Sequence, residues 1–219
     1  MLSDSATGRG SRILFLIALC ALVSVRAAVI PTLFNTGVNN EGQPLGAEEI
    51  DPHWQLTLSA DELAPGPDAF TLAPGFPVPP WVEEGPDSRW IAPQASQATG
   101  NLPGNYTFTT TFDLTGFDPA TAQITGRISA DNGIAAVRLN GTDILGITAA
   151  GFNVWTDFSI PLDSPFIEGM NTLEFEVNNA GDTVNPAGFR VEMNGRATGD
   201  NEVPSVIGQP ENQEAIVGD

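Results

Sequence analysis

Four tryptophans, a single histidine and a scatter of acids carry whatever chemistry this 219-residue chain can do. Trp81 and Trp90 stand in loop-rich sequence beside Glu83, Glu84, Asp87 and Arg89. A sugar ring needs a flat apolar surface for its C–H face and planar polar groups for its hydroxyls. The two indoles therefore read either as such a platform or as core plugs whose N–H bonds a carbonyl. Trp54 and Trp155 fall on strand patterns and are expected in the core. Asp131-Asn132-Gly133 sets two oxygen-bearing side chains at a tight turn, and Asn178, Asn179 and Asp182 form a second set of the same kind. Calcium takes six to eight oxygens, more than either set supplies, and each also reads as an Asx turn satisfied by its own backbone. Arg138 projects from a hairpin strand beside Asn140, where so much carboxylate favours a surface ion pair.

Catalytic constellations are harder to find. His53 has Asp51 two residues away, which on a strand puts both on one face, but a triad also needs a nucleophile placed in space, and a structural role is expected. Glu48-Glu49 and Glu83-Glu84 are adjacent in sequence, so on strands their carboxylates point opposite ways and cannot face each other as a glycosidase pair must. There is no Gly-x-Ser-x-Gly elbow, no His-Glu-x-x-His and no phosphate-cradling glycine loop. A non-catalytic protein is expected.

Charge and chain ends set the compartment. The formal net charge is −19 and every basic residue is arginine. Such a surface repels nucleic acid and anionic lipid, and favours hard cations through oxygen ligands. Arg9 and Arg12 followed by the apolar run Ile13–Val25, with Val25-Arg26-Ala27 as a cleavage site, read as a secretory signal peptide over residues 1–27. The run is short of the about 20 apolar residues of a membrane span, so no membrane insertion is expected after cleavage. An uncleaved anchor and a lipoprotein using Cys20 are the alternatives; Leu19 before the cysteine argues against the second. Removing 1–27 takes away Arg9, Arg12, Arg26 and Asp4, moving the charge by two to −21. It also removes Cys20, the sole cysteine, so the mature domain must hold itself by its core, by bound ions or both.

The elements that would position these residues are strands. Tyr106, Phe108, Thr110, Phe112 and Leu114 alternate with polar Thr107, Thr109, Thr111 and Asp113, the period of a strand with one buried face. Asn140-Gly141 between Val137/Leu139 and Ile144/Leu145 is a type I′ hairpin signal. Val29–Phe34 and Trp90-Ile91 read as short strands. Trp54/Leu56/Leu58, Ile124/Gly126/Ile128, Val154/Thr156/Phe158/Ile160, Leu173/Phe175/Val177 and Phe189/Val191/Met193 each read as one strand face. Ala64–Pro80 reads as an extended Pro/Gly segment. About ten strands without a helical period make an all-β, antiparallel β-sandwich.

Taken in order, several segments resemble a known family. They are Asp51-Pro52-His53-Trp54, Pro80-Trp81, Ser88-Arg89-Trp90-Ile91-Ala92-Pro93, Gly104-Asn105-Tyr106-Thr107-Phe108 and Phe112-Asp113-Leu114. Ala130-Asp131-Asn132, Val137-Arg138-Leu139-Asn140-Gly141, Gly169-Met170-Asn171-Thr172-Leu173 and Val177-Asn178-Asn179 complete the set. The span 28–197 resembles the galactose-binding-domain-like jelly roll of bacterial secreted modular proteins. Residues 198–219, with Pro204 and Pro210 bracketing Ser205–Gln209 and Ala215–Asp219 following, resemble a linker and the first strand of an immunoglobulin-like domain; a disordered tail is the alternative. The resemblance implies a secreted, monomeric, non-catalytic module at the head of a larger protein, binding extracellular polysaccharide or a cell-surface glycan through Trp81, Arg89, Trp90, Asp131, Asn132 and Arg138. It also implies a structural calcium near Asp131 and Asn132. The same superfold hosts adhesive and spacer modules without sugar affinity.

Overall fold

The computed structural model describes residues 27–199. The signal sequence with Cys20 and the immunoglobulin-like strand fall, but for their boundary residues, outside the described residues. Eleven strands and no helix make up the described chain. They are β1 (Ala27–Val29), β2 (Ile50–Leu58), β3 (Asp68–Thr71), β4 (Ile91–Ala92), β5 (Gly104–Asp113) and β6 (Phe117–Asp131). Then follow β7 (Gly133–Leu139), β8 (Thr142–Asp143), β9 (Thr156–Ile160), β10 (Met170–Asn179) and β11 (Gly188–Gly199).

Hydrogen bonding runs β8-β7-β10-β5-β2-β3-β4-β11-β6-β9, with β1 added on β11 and every pairing antiparallel. The short strands β3 and β4 link two larger layers, β4 meeting β11 through a single register pair, Phe189 with Ile91. The layers close on each other. Phe189 of β11 lies 5.3 Å from Phe108 of β5, 5.4 Å from Trp54 of β2 and 5.2 Å from Phe175 of β10, ring centre to ring centre. Strands that are distant in hydrogen-bonding order thus touch face to face, which makes the all-β, antiparallel β-sandwich the sequence implies. Its core is the period-two set: Phe108, Phe112, Ile124, Ile128, Leu139, Phe158, Ile160, Leu173, Phe175, Val177, Phe189 and Val191 are all buried. Phe175, central in this aromatic group, is the kind of side chain whose truncation costs about 3–5 kcal/mol.

Turn chemistry holds as well. Asn140 and Gly141 both have positive φ, 53° and 76°, as a type I′ hairpin requires. Three strand expectations need correction. The first strand ends at Val29 rather than Phe34, because Pro31 has no N–H to extend a ladder. The Pro/Gly segment contains β3, with Ala69 and Thr71 buried. Leu58 is exposed, because the β2–β5 register shifts between Leu56 and Leu58 and turns it outward.

Candidate functional site

Trp81 and Trp90 do not form an exposed platform. Trp90 is fully buried and Trp81 nearly so, their rings 4.6 Å apart in a second apolar cluster with Leu72, Ala92, Phe76, Val82 and Phe152. The Trp90 Nε1–H donates to the Val82 carbonyl at 2.8 Å. The cluster sits on the outer face of β11 at Gly188, where any Cβ would stand 2.8 Å from one Trp81 carbon and 3.2 Å from a Trp90 carbon. The loop before β4 folds back over the sheet because two large apolar rings gain more from burial than from water.

The other nominated residues are spent on the fold or lie apart. Arg89 pairs with Glu84 at 2.7 Å and also bonds the Leu45 carbonyl, while Glu84 accepts the Trp90 N–H. Arg138, in the other layer, is held by Glu176 at 2.8 Å and Asp143 at 3.1 Å, the ion-pair arrangement its surroundings suggest. Asp131 is buried and stands opposite Gly188 in the β6–β11 register, close to the tryptophan cluster, whereas Asn132 is exposed. Asp51 does not orient the His53 ring. Its carboxylate accepts backbone N–H groups from Gly37, His53 and Trp54 at 2.5, 2.8 and 3.1 Å. Burial nonetheless pushes its pKa up to about 6, against the pull of those donors. His53 stacks on Phe34 with ring centres 3.7 Å apart, and burial lowers its pKa.

The two oxygen-rich turns converge at one end of the sandwich. Asn132 N–H donates to the Asn178 carbonyl at 2.7 Å, and the Asn132 side-chain oxygen accepts from Ala180 N–H at 2.7 Å. There Asp131 Oδ1 and Asn179 Oδ1 are buried with no hydrogen-bond partner. Burial alone pushes the Asp131 pKa up to about 7. A buried carboxylate oxygen facing no donor, as on Asp131, suits a hard cation. Among the described residues no group of three or more His, Cys, Asp or Glu could hold a metal, so the rest of a calcium shell would fall to carbonyls and water.

The best-built polar surface lies further along the outer face of β9, β6 and β11, and Asp87 is the one residue of its lining that the sequence sets beside Trp81 and Trp90. Arg127 of β6 stands in register between Asp157 of β9 and Glu192 of β11, and Thr125 stands between Ser159 and Asn194. Residues opposite one another on antiparallel strands have Cβ atoms about 5 Å apart, so these are two adjoining rows of hydrogen-bonding groups. Arg127 Nε donates to Glu192 Oε2 at 2.7 Å, and Nη2 lies 2.5 Å from the same oxygen. Trp155 packs against Arg127 beside these rows. It is half-buried rather than a core residue, with the Arg127 and Arg190 guanidinium carbons 4.5 and 4.8 Å from its ring centre. Arg190 is only 1% exposed; it donates to Ser88 Oγ and to the Glu83 carbonyl at 2.7 and 2.6 Å, and so anchors the loop beside the ring. The opposite wall is Asn35 and Asp87, fixed by Asn35 Nδ2 donating to the Asp87 carbonyl at 2.9 Å and Met193 N–H donating to Asn35 Oδ1 at 2.7 Å. The result is an open groove of about 380 Å³ lined by Asn35, Asp87, Thr125, Arg127, Asp157, Glu192 and Asn194.

A half-buried indole beside rows of polar groups defines a class: an antiparallel β-sandwich with an open polar groove on one face. No protein-family model and no curated protein matches the chain. Among solved structures, a family 35 carbohydrate binding module from an environmental isolate is similar at 15% identity, over 75% of this chain and 91% of that one, with a TM-score of 0.29. That likeness is too distant to transfer a ligand.

Proposed function

We propose that the protein is a secreted, non-catalytic binding module whose ligand is carbohydrate, an extracellular polysaccharide or cell-surface glycan, taken in the Trp155 groove rather than at Trp81 and Trp90. The observation that carries this reading is the half-buried Trp155 ring beside the Asp157–Arg127–Glu192 row. The ring offers an apolar face for sugar C–H groups, and the row offers donors and acceptors in a plane for the hydroxyls. Arg127 and Arg190 hold the ring in place, so little side-chain entropy is lost on binding. At the far turn, Asp131 would hold a calcium ion that neutralises its buried carboxylate. The acidic surface argues against nucleic acid and anionic lipid as partners.

Binding of the full chain to a panel of immobilised neutral polysaccharides, repeated with Trp155→Ala, tests the reading. Saturable binding that falls at least tenfold in the variant, at unchanged melting temperature, is the expected result. Binding that survives the substitution removes the site. A second reading, a structural or adhesive surface module without sugar affinity, draws on the burial of Trp81 and Trp90 and the engagement of Arg89 and Arg138 in ion pairs. A folded protein that binds no glycan on the panel would favour it.

A further inference from the structure

We infer that the groove takes an extended glycan chain without anionic groups, running from Trp155 across β9, β6 and β11 and over the edge of β11 to Phe34. This rests on the glycan reading above and adds the ligand's length and charge. A second concavity of about 320 Å³, lined by Pro31, Leu33, Phe34, Val38, Asn40 and Glu41, also touches Asn35 and Met193, the two residues it shares with the Trp155 groove. The two hollows therefore adjoin. Each is at the small end of the about 300–1,000 Å³ usual for a ligand site, and together they form an elongated track.

One end of that track carries Phe34 and the other abuts Trp155 through Arg127, while its middle carries amides, a hydroxyl and carboxylates. Phe34 is half-buried, with one face stacked on His53, which leaves the opposite face for a ligand. Rings at separated points with polar groups between them suit a repeating ligand better than a single sugar. The ligand's charge follows from the lining. Arg127 is matched by Glu192, while Asp87, Asp157 and Glu41 are exposed and have no ion-pair partner among the described residues. An unbalanced negative groove on a strongly acidic protein repels uronate or sulfated chains and tolerates neutral ones.

Titration calorimetry of the full chain tests this with gluco-, xylo- and galacto-oligosaccharides from one to six units and with matched oligogalacturonates. The expected result is an affinity that rises at least tenfold with length in a neutral series and then levels off, with the galacturonates at least tenfold weaker by a margin that narrows in high salt. Phe34→Leu keeps apolar volume but removes the flat ring. It should erase the gain with length while leaving the shortest ligands unaffected. Affinity independent of length, a Phe34→Leu effect equal on short and long ligands, or galacturonates binding as well as neutral chains would overturn the inference while leaving the Trp155 site standing. Binding to no neutral oligosaccharide, or binding indifferent to Trp155→Ala, would remove the site and this inference with it.

Discussion

Arg190 shows how a charge can be structural on the outer face of a sheet. Its guanidinium is out of water, bonded to the Ser88 side chain and backbone, the Glu83 carbonyl and, at 3.4 Å, Glu192. Burial pulls its pKa down while Glu192 and Glu84 pull it up. Removing it leaves the Glu83 and Ser88 carbonyls without their donor under a loop that can no longer rest on the sheet. Arg190→Ala should therefore cost about 3 kcal/mol in urea unfolding, the loss expected when one side of a buried charged network is deleted. It should also loosen Trp155, read as a red shift in tryptophan emission. An unfolding midpoint within error of the parent would sink this account. At the far turn, calcium should raise the melting temperature of the parent protein but not of Asp131→Ala. A parent melting curve indifferent to calcium and to chelator would show that Asp131 holds no ion.

Elements explain why the site escapes a residue-by-residue reading. Nothing in the type of Trp155 marks it as a surface residue, yet the alternation continued from β9 does. If Phe158 and Ile160 face the core, Trp155, Asp157 and Ser159 face away from it. The same parity sends Arg127 out between Gly126 and Ile128, and Glu192 out between Val191 and Met193. That half of the site was legible in the strand period. The fate of Trp81 and Trp90 was not, because it depends on a loop folding onto a sheet at one glycine. Gly188→Ala tests that packing: its Cβ would press on both indoles, and an overpacked site costs about 1–3 kcal/mol. The expected outcome is a lower melting temperature and altered near-ultraviolet tryptophan dichroism, with the core strands intact. An unchanged spectrum would mean that the rings are not seated there.

At the scale of the whole molecule, pH is the simplest probe. Asp51 and Asp131 have pKa values raised in the folded state to about 6 and about 7 from an ordinary 3.8. A raised acid favours folding when protonated, so its contribution is complete below pH 4 and is lost as pH climbs through the folded values. In calcium-free buffer the melting temperature should fall between about pH 4 and pH 7, by an amount worth a few kcal/mol in total, and then level off. A melting temperature that rises over that window would show that the three N–H donors on Asp51, and an unseen partner on Asp131, win over desolvation. By itself the sequence determined the strand content, the antiparallel sandwich, the Asn140-Gly141 turn and the acidic surface, because each follows from local alternation, turn dihedrals or a sum of charges. Only the tertiary structure decided that a loop buries Trp81 and Trp90, that Asn132 is tied to Asn178 and Ala180 across two loops, and that Arg127 lies between two acids of different strands. Those are pairings of residues far apart in the chain, and no local periodicity encodes which distant strand or loop will cover a given face.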